Sequence, residues 1–144
     1  MRRAIVRLGL ATALIVLTLA AASAQGQTIE PQTVEREVKA QAGRQIRVGA
    51  YFSLKQDCTP GRLPAIRLVE NPANGAVVVR SAKVRATNVR HCLAVEVPAF
   101  VAFYRSKPDF SGTDTFLIEV KGASGKIQHQ RIRVVVQSSG GDKI

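Results

Sequence analysis

Cys58 and Cys92 are the only cysteines of this 144-residue chain, and His91 and His129 are its only histidines. Thiols and imidazoles are the side chains best suited to redox chemistry and to holding transition metals. No C-x-x-C spacing occurs, and two cysteines with two scattered histidines do not readily supply four converging ligands. No metal and no other cofactor is expected. Asp57, Asp109 and Asp114 offer carboxylate oxygens, but Asp109 and Asp114 lie five apart with no Glu nearby. A calcium loop needs several oxygens from closely spaced positions, so turn capping suits these acids better. Ser111 and Thr113, taken with either histidine, carry the groups of a hydrolase. Without a Gly-x-Ser-x-Gly elbow or a similar setting, no catalytic residue is assigned. The most distinctive cluster is Arg80, Lys83, Arg85 and Arg90, because no acid occurs between Glu70 and Glu96. Read as a loop with Thr87 and Asn88, it offers an anion-binding site in which Arg makes bidentate contacts to phosphate or carboxylate. A solvated charge run is the competing reading.

Which chemistry the cysteines carry depends on the compartment, and residues 1–24 indicate one. Arg2, Arg3 and Arg7 form a positive n-region, and residues 8–22 are an uncharged, mostly apolar run. Ala22-Ser23-Ala24 places small residues for cleavage before Gln25. The run of 15 residues is short for a span of ~20. A cleaved helical signal peptide is therefore expected, with an uncleaved anchor as the alternative. The mature chain is expected to be periplasmic or secreted and not membrane-spanning. In an oxidising compartment Cys58 and Cys92 pair by default, closing a loop worth roughly 3–4 kcal/mol.

The whole chain carries a formal +11, and loss of the three leader arginines leaves +8. A basic domain is drawn to polyanions, which outside the cytoplasm are anionic lipid headgroups, acidic glycans and cell-wall polymers. Nucleic acid fits the charge, but export argues against it as a partner.

After a polar lead at 25–32 the chain reads as short β-rich runs with turns between them. Candidate strands are 33–39, 45–52, 65–70, 76–80, 92–97, 100–104, 115–121 and 127–136. In 45–52, Ile46, Val48 and Ala50 alternate with Gln45, Arg47 and Gly49. In 115–121, Phe116, Ile118 and Val120 alternate with Thr115, Leu117 and Glu119. Asn71-Pro72-Ala73-Asn74-Gly75 is a turn signal, and Gly122-Ala123-Ser124-Gly125 reads as a hairpin loop. Residues 55–64 and 81–91 read as loops. No amphipathic helix appears after the leader. The pattern predicts an all-β, antiparallel sandwich of about 7–8 strands over 25–137, with a flexible tail at 138–144.

Phe110, Gly112, Asp114 and Phe116 form a Phe-x-Gly-x-Asp-x-Phe corner. With the Pro72–Gly75 turn upstream, this resembles the end of bacterial immunoglobulin- or cadherin-like repeats. The resemblance implies an immunoglobulin-like sandwich. Within it Phe110 and Phe116 would anchor the corner, Gly112 would permit an unusual backbone angle, and Asp114 would hold the turn through backbone N–H groups. Across residues 43–136, Asp57-Cys58, Pro64, Arg67-Leu68, Cys92-Leu93, Pro98, Tyr104 and the corner together resemble small exported single-domain proteins of alphaproteobacteria with no assigned activity.

The expected function is that of an exported, non-catalytic binding module engaging an envelope protein, anionic lipid or glycan through the basic loop. A structural or assembly accessory of the envelope is the alternative, and a small hydrolase a third. An accessory would show an open strand edge or an exposed apolar face. A binding module would show a converged basic patch, and an enzyme a pocket with convergent titratable groups.

Overall fold

The computed structural model describes Gly26 and residues 29–140. The expected leader, its cleavage site and residues 141–144 of the expected tail lie outside the described residues. Seven strands and no helix occur among the described residues: β1 (Gln32–Gln41), β2 (Gln45–Tyr51), β3 (Ala65–Glu70), β4 (Gly75–Val89), β5 (Cys92–Ser106), β6 (Gly112–Lys121) and β7 (Ile127–Gln137). They form two sheets, one ordered β1-β7-β6-β3 and the other β2-β5-β4. All pairings are antiparallel except β1 with β7. The chain is thus a two-sheet β-sandwich.

The alternation of side chains along each strand determines what lies between the sheets. Phe116 and Ile118 of β6 and Ile132, Val134 and Val136 of β7 face Val48 and Tyr51 of β2 and Ala102 and Tyr104 of β5. Each large side chain buried in this way contributes about 1.5–3 kcal/mol. Two local features depart from simple alternation. A bulge between Arg47 and Gly49 shifts the register of β2, so Val48, Gly49 and Tyr51 are all buried. Leu117, on the outer face of β6, is nevertheless only 6% exposed. It stands in register with Glu70 on one side and Arg131 on the other, and these two form an ion pair of 3.1 Å across it.

The segments expected as separate elements at 76–80, 81–91, 92–97 and 100–104 are a single hairpin. β4 and β5 are 15 residues each and pair from Gly75↔Ser106 to Val89↔Cys92. The polar composition of 81–91 suggested a loop, but a strand with one solvated face tolerates alternate charges. Pro98 lies within β5 opposite Lys83 without breaking the ladder. The tip is the two-residue connection Arg90-His91, with Arg90 in the left-handed region at φ 56°.

The outer half of this hairpin has its own small core. Leu54, Ala86, Cys92 and Val97 are buried together, with Phe52, Cys58, Val84, Val89 and Val95 packed against them. The loop after β2 therefore packs on the outer half of the hairpin. The Cys58–Cys92 disulfide fastens the two, with a Cα separation of 5.7 Å.

Candidate functional site

The four basic residues proposed from sequence lie on a strand and its tip, and they do not converge. Arg80 is in register with Val101, whereas Lys83 and Arg85 are in register with Pro98 and Glu96. Strand alternation puts Arg80 on the face opposite Lys83 and Arg85. Lys83 Nζ lies 3.8 Å from Glu96 Oε1, so an acid from β5 partly neutralises this face. Sequence separation hid that acid, because Glu96 meets Lys83 only across the ladder. Arg90 is committed elsewhere, since its guanidinium donates to the Leu54 carbonyl.

β4 itself has a second feature. It is the terminal strand of the order β2-β5-β4, so one side of its 15 residues faces no other described strand. Val78 and Val79, on opposite faces, are 44% and 38% exposed. An edge of this kind presents unpaired backbone N–H and C=O groups, and long ones are usually shortened, bulged or charged. Only the charges are present here.

The corner residues meet as the sequence suggested, over longer range. Asp114, 3% exposed, accepts from Ala73 N at 3.0 Å and Asn74 N at 3.0 Å. It also accepts from Tyr104 Oη at 2.8 Å and from Thr115 N at 3.1 Å. The corner thus latches the Pro72–Gly75 turn, some forty residues earlier. Four donors around one carboxylate compensate for burying its charge. Burial, reinforced by the bond to Asp114, pushes the Tyr104 phenol far above the usual tyrosine range. The Tyr104 ring stacks on Phe116 with centroids 5.7 Å apart. A β-carbon on Gly75 would stand 2.6 Å from both the Arg105 carbonyl oxygen and the Tyr104 ring, so the turn admits only glycine there. Gly112 has φ 136°, an angle closed to other residues, and Phe110 packs beside it.

The outer face of β1-β7-β6-β3 is a polar network with no local signature in the sequence. Glu119 Oε2 binds Arg67 at 3.0 Å and His129 at 3.1 Å. The Arg67 hydrogen bond, followed by that from His129, holds the Glu119 carboxyl below its usual range. Glu35 and Glu37 of β1 stand in register with Arg131 and Arg133 of β7 and line a shallow groove with Thr115. The acids of β1 and β6 meet the bases of β7 and β3 across the strands, which is recognisable only once register is known.

Of the hydrolase candidates, His129 is bound to Glu119 and His91 to the Gln56 carbonyl. Neither histidine hydrogen-bonds to Ser111 or Thr113 among the described residues. His91 instead lies beside the disulfide, with a ring nitrogen and both sulfurs within 4.8 Å of one another. Asp57 accepts from Thr59 N at 3.1 Å and from the Thr59 hydroxyl, which together hold its carboxyl below the usual range. It therefore caps its own turn. Comparison with protein-family models, with curated proteins and with solved structures yields no match to this chain.

Proposed function

We propose that the chain is an exported, non-catalytic envelope accessory that accepts an extended, acidic segment of a neighbouring envelope protein along the free edge of β4. The observation that carries this reading is the 15-residue edge itself, bearing exposed Val78 and Val79 beside Arg80, Lys83 and Arg85. Strand addition supplies affinity through main-chain hydrogen bonds and specificity through alternate side chains. The basic residues would steer an acidic strand to the edge and select against a basic one. A lipid or glycan headgroup fits less well, because Arg80 and Lys83 point to opposite faces and Arg90 is occupied. The edge favours an envelope accessory that joins a neighbour by strand pairing.

Two observations support the wider setting. The intramolecular disulfide suits an oxidising compartment outside the cytoplasm, in keeping with a cleaved leader at 1–24. The strand order, with β1 parallel to β7 on the four-stranded sheet, supports the immunoglobulin-like reading.

The test uses a synthetic peptide of alternating Glu and Val with the purified, disulfide-intact chain. Binding should slow amide exchange along β4 and leave β1 unchanged. It should weaken steeply with salt and in the Arg80→Ser/Lys83→Ser/Arg85→Ser variant. Protection appearing elsewhere, or equal binding by the triple variant, would overturn the edge reading. Anionic vesicles that bind the native chain and not the variant would return the function to headgroup recognition.

A further inference from the structure

A ring nitrogen of His91 and both sulfurs of the Cys58–Cys92 disulfide lie within 4.8 Å of one another. We propose that the reduced Cys58/Cys92 pair, together with His91, is a site for a single thiophilic d10 ion, Cu(I) or Zn(II). This goes beyond the strand-pairing function and does not depend on it.

What remains when the disulfide opens decides whether the two thiols stay together. The loop after β2 and the β4–β5 tip are held by more than the cross-link. Arg90 donates to the Leu54 carbonyl, and His91 Nε2 donates to the Gln56 carbonyl. Leu54 bridges Pro60 within the loop, and Leu54, Ala86 and Val97 are buried together beneath it. The reduced cysteines therefore stay side by side, as a preformed dithiol. Two thiolates on one ion sit roughly 3.8 Å apart when each bond is ~2.3 Å. Rotation of two side chains whose Cα atoms are 5.7 Å apart provides that separation.

The contact with the Gln56 carbonyl fixes the histidine's tautomer. A carbonyl only accepts, so His91 Nε2 carries the proton and Nδ1 keeps its lone pair. A second-sphere bond of this kind fixes the tautomer and orientation of a metal-binding imidazole. Soft thiolates select Cu(I) and Zn(II) over harder ions. Three ligands complete a trigonal Cu(I) site, and a water completes a tetrahedral Zn(II) site. Arg90 adds a positive charge at the same tip, which offsets the net negative charge of two thiolates on Cu(I).

Opening requires two electrons and two protons, which a dithiol reductant supplies. Its thiolate attacks one sulfur to form a mixed disulfide, and its second thiol then releases the protein dithiol, leaving the reductant as a disulfide. Cys58 is the accessible sulfur, since Cys92 is 2% exposed. Ion binding then displaces the two thiol protons. The main core contains neither cysteine and takes no part.

The test is metal uptake by the purified chain before and after treatment with a dithiol, which is then removed without air. Cu(I) and Zn(II) are offered separately, and bound metal is counted by native mass spectrometry. The reduced chain should take up one ion, develop thiolate-to-metal absorption and keep its strand circular dichroism. The oxidised chain should take up none. His91→Ala should weaken uptake tenfold or more. Uptake no greater than that of Cys58→Ser/Cys92→Ser would overturn the site, as would unchanged affinity in His91→Ala. Loss of strand signal on reduction would overturn the preformed dithiol.

Discussion

The Tyr104 hydroxyl donates to Asp114 Oδ2 at 2.8 Å inside the sandwich, and the same carboxylate holds the Ala73 and Asn74 amides. One buried acid thereby joins β5, β6 and the turn before β4. Asp114→Ala leaves these donors unsatisfied and is expected to cost about 2–4 kcal/mol in denaturant unfolding. Tyr104→Phe removes one donor and should cost about 1–2 kcal/mol. The two losses should not add, since they share a partner. Strict additivity would mean that the bond contributes nothing.

Tyr104 and Tyr51 are the only tyrosines, and both phenols are raised by burial, Tyr51 despite the opposing charge of Arg36. The unfolded chain ionises them near pH 10, while the folded chain keeps them protonated. Their contribution to stability is thus complete below pH ~10 and is lost as pH rises beyond it. Tyrosinate absorbance of native protein should lag behind that of the denatured chain. Coincident titration curves would contradict the burial of both hydroxyls.

At Gly112 the backbone angle leaves no room for branching. Gly112→Val should destabilise the fold by about 1–3 kcal/mol. A melting curve unchanged from that of the native chain would show that the corner tolerates ordinary residues.

Glu119 predicts the acid limb. Its carboxyl lies below the usual range in the folded chain, so its contribution is present above the unfolded pKa of ~4.3 and is lost as pH falls through the folded value. Between pH 7 and pH 3 the native chain should lose more stability than Glu119→Gln does. Parallel pH profiles would place the acid sensitivity elsewhere.

Among the basic residues of the hairpin, one is structural. Arg90→Ser strips the Leu54 carbonyl of its donor and should cost about 1–2 kcal/mol. Arg80→Ser, Lys83→Ser and Arg85→Ser occupy exposed strand positions and should each stay within about 0.5 kcal/mol. Equal effects from all four would mean that Arg90 does not grip the loop.

Local pattern was enough to indicate the class of the fold. Alternation in 65–70, turn chemistry at 71–75 and 122–125, and the absence of helical periodicity led to an all-β sandwich, because pleat and turn are properties of neighbouring residues. The two cysteines and the compartment implied by the leader led to the cross-link. Phe110, Gly112, Asp114 and Phe116 were legible as a corner because they lie within seven residues. What the corner holds was not, since Ala73 and Asn74 reach Asp114 only when β4, β5 and β6 have packed. The same limit applies to the charges. Residues 81–91 read as a basic loop because polarity reports solvent, and both loops and edge strands meet solvent. Tertiary structure made them the edge of a sheet, set Glu96 against Lys83, turned Arg80 to the other face and brought His91 beside Cys58. Each of these depends on register between strands, a long-range property determined by packing of the whole core.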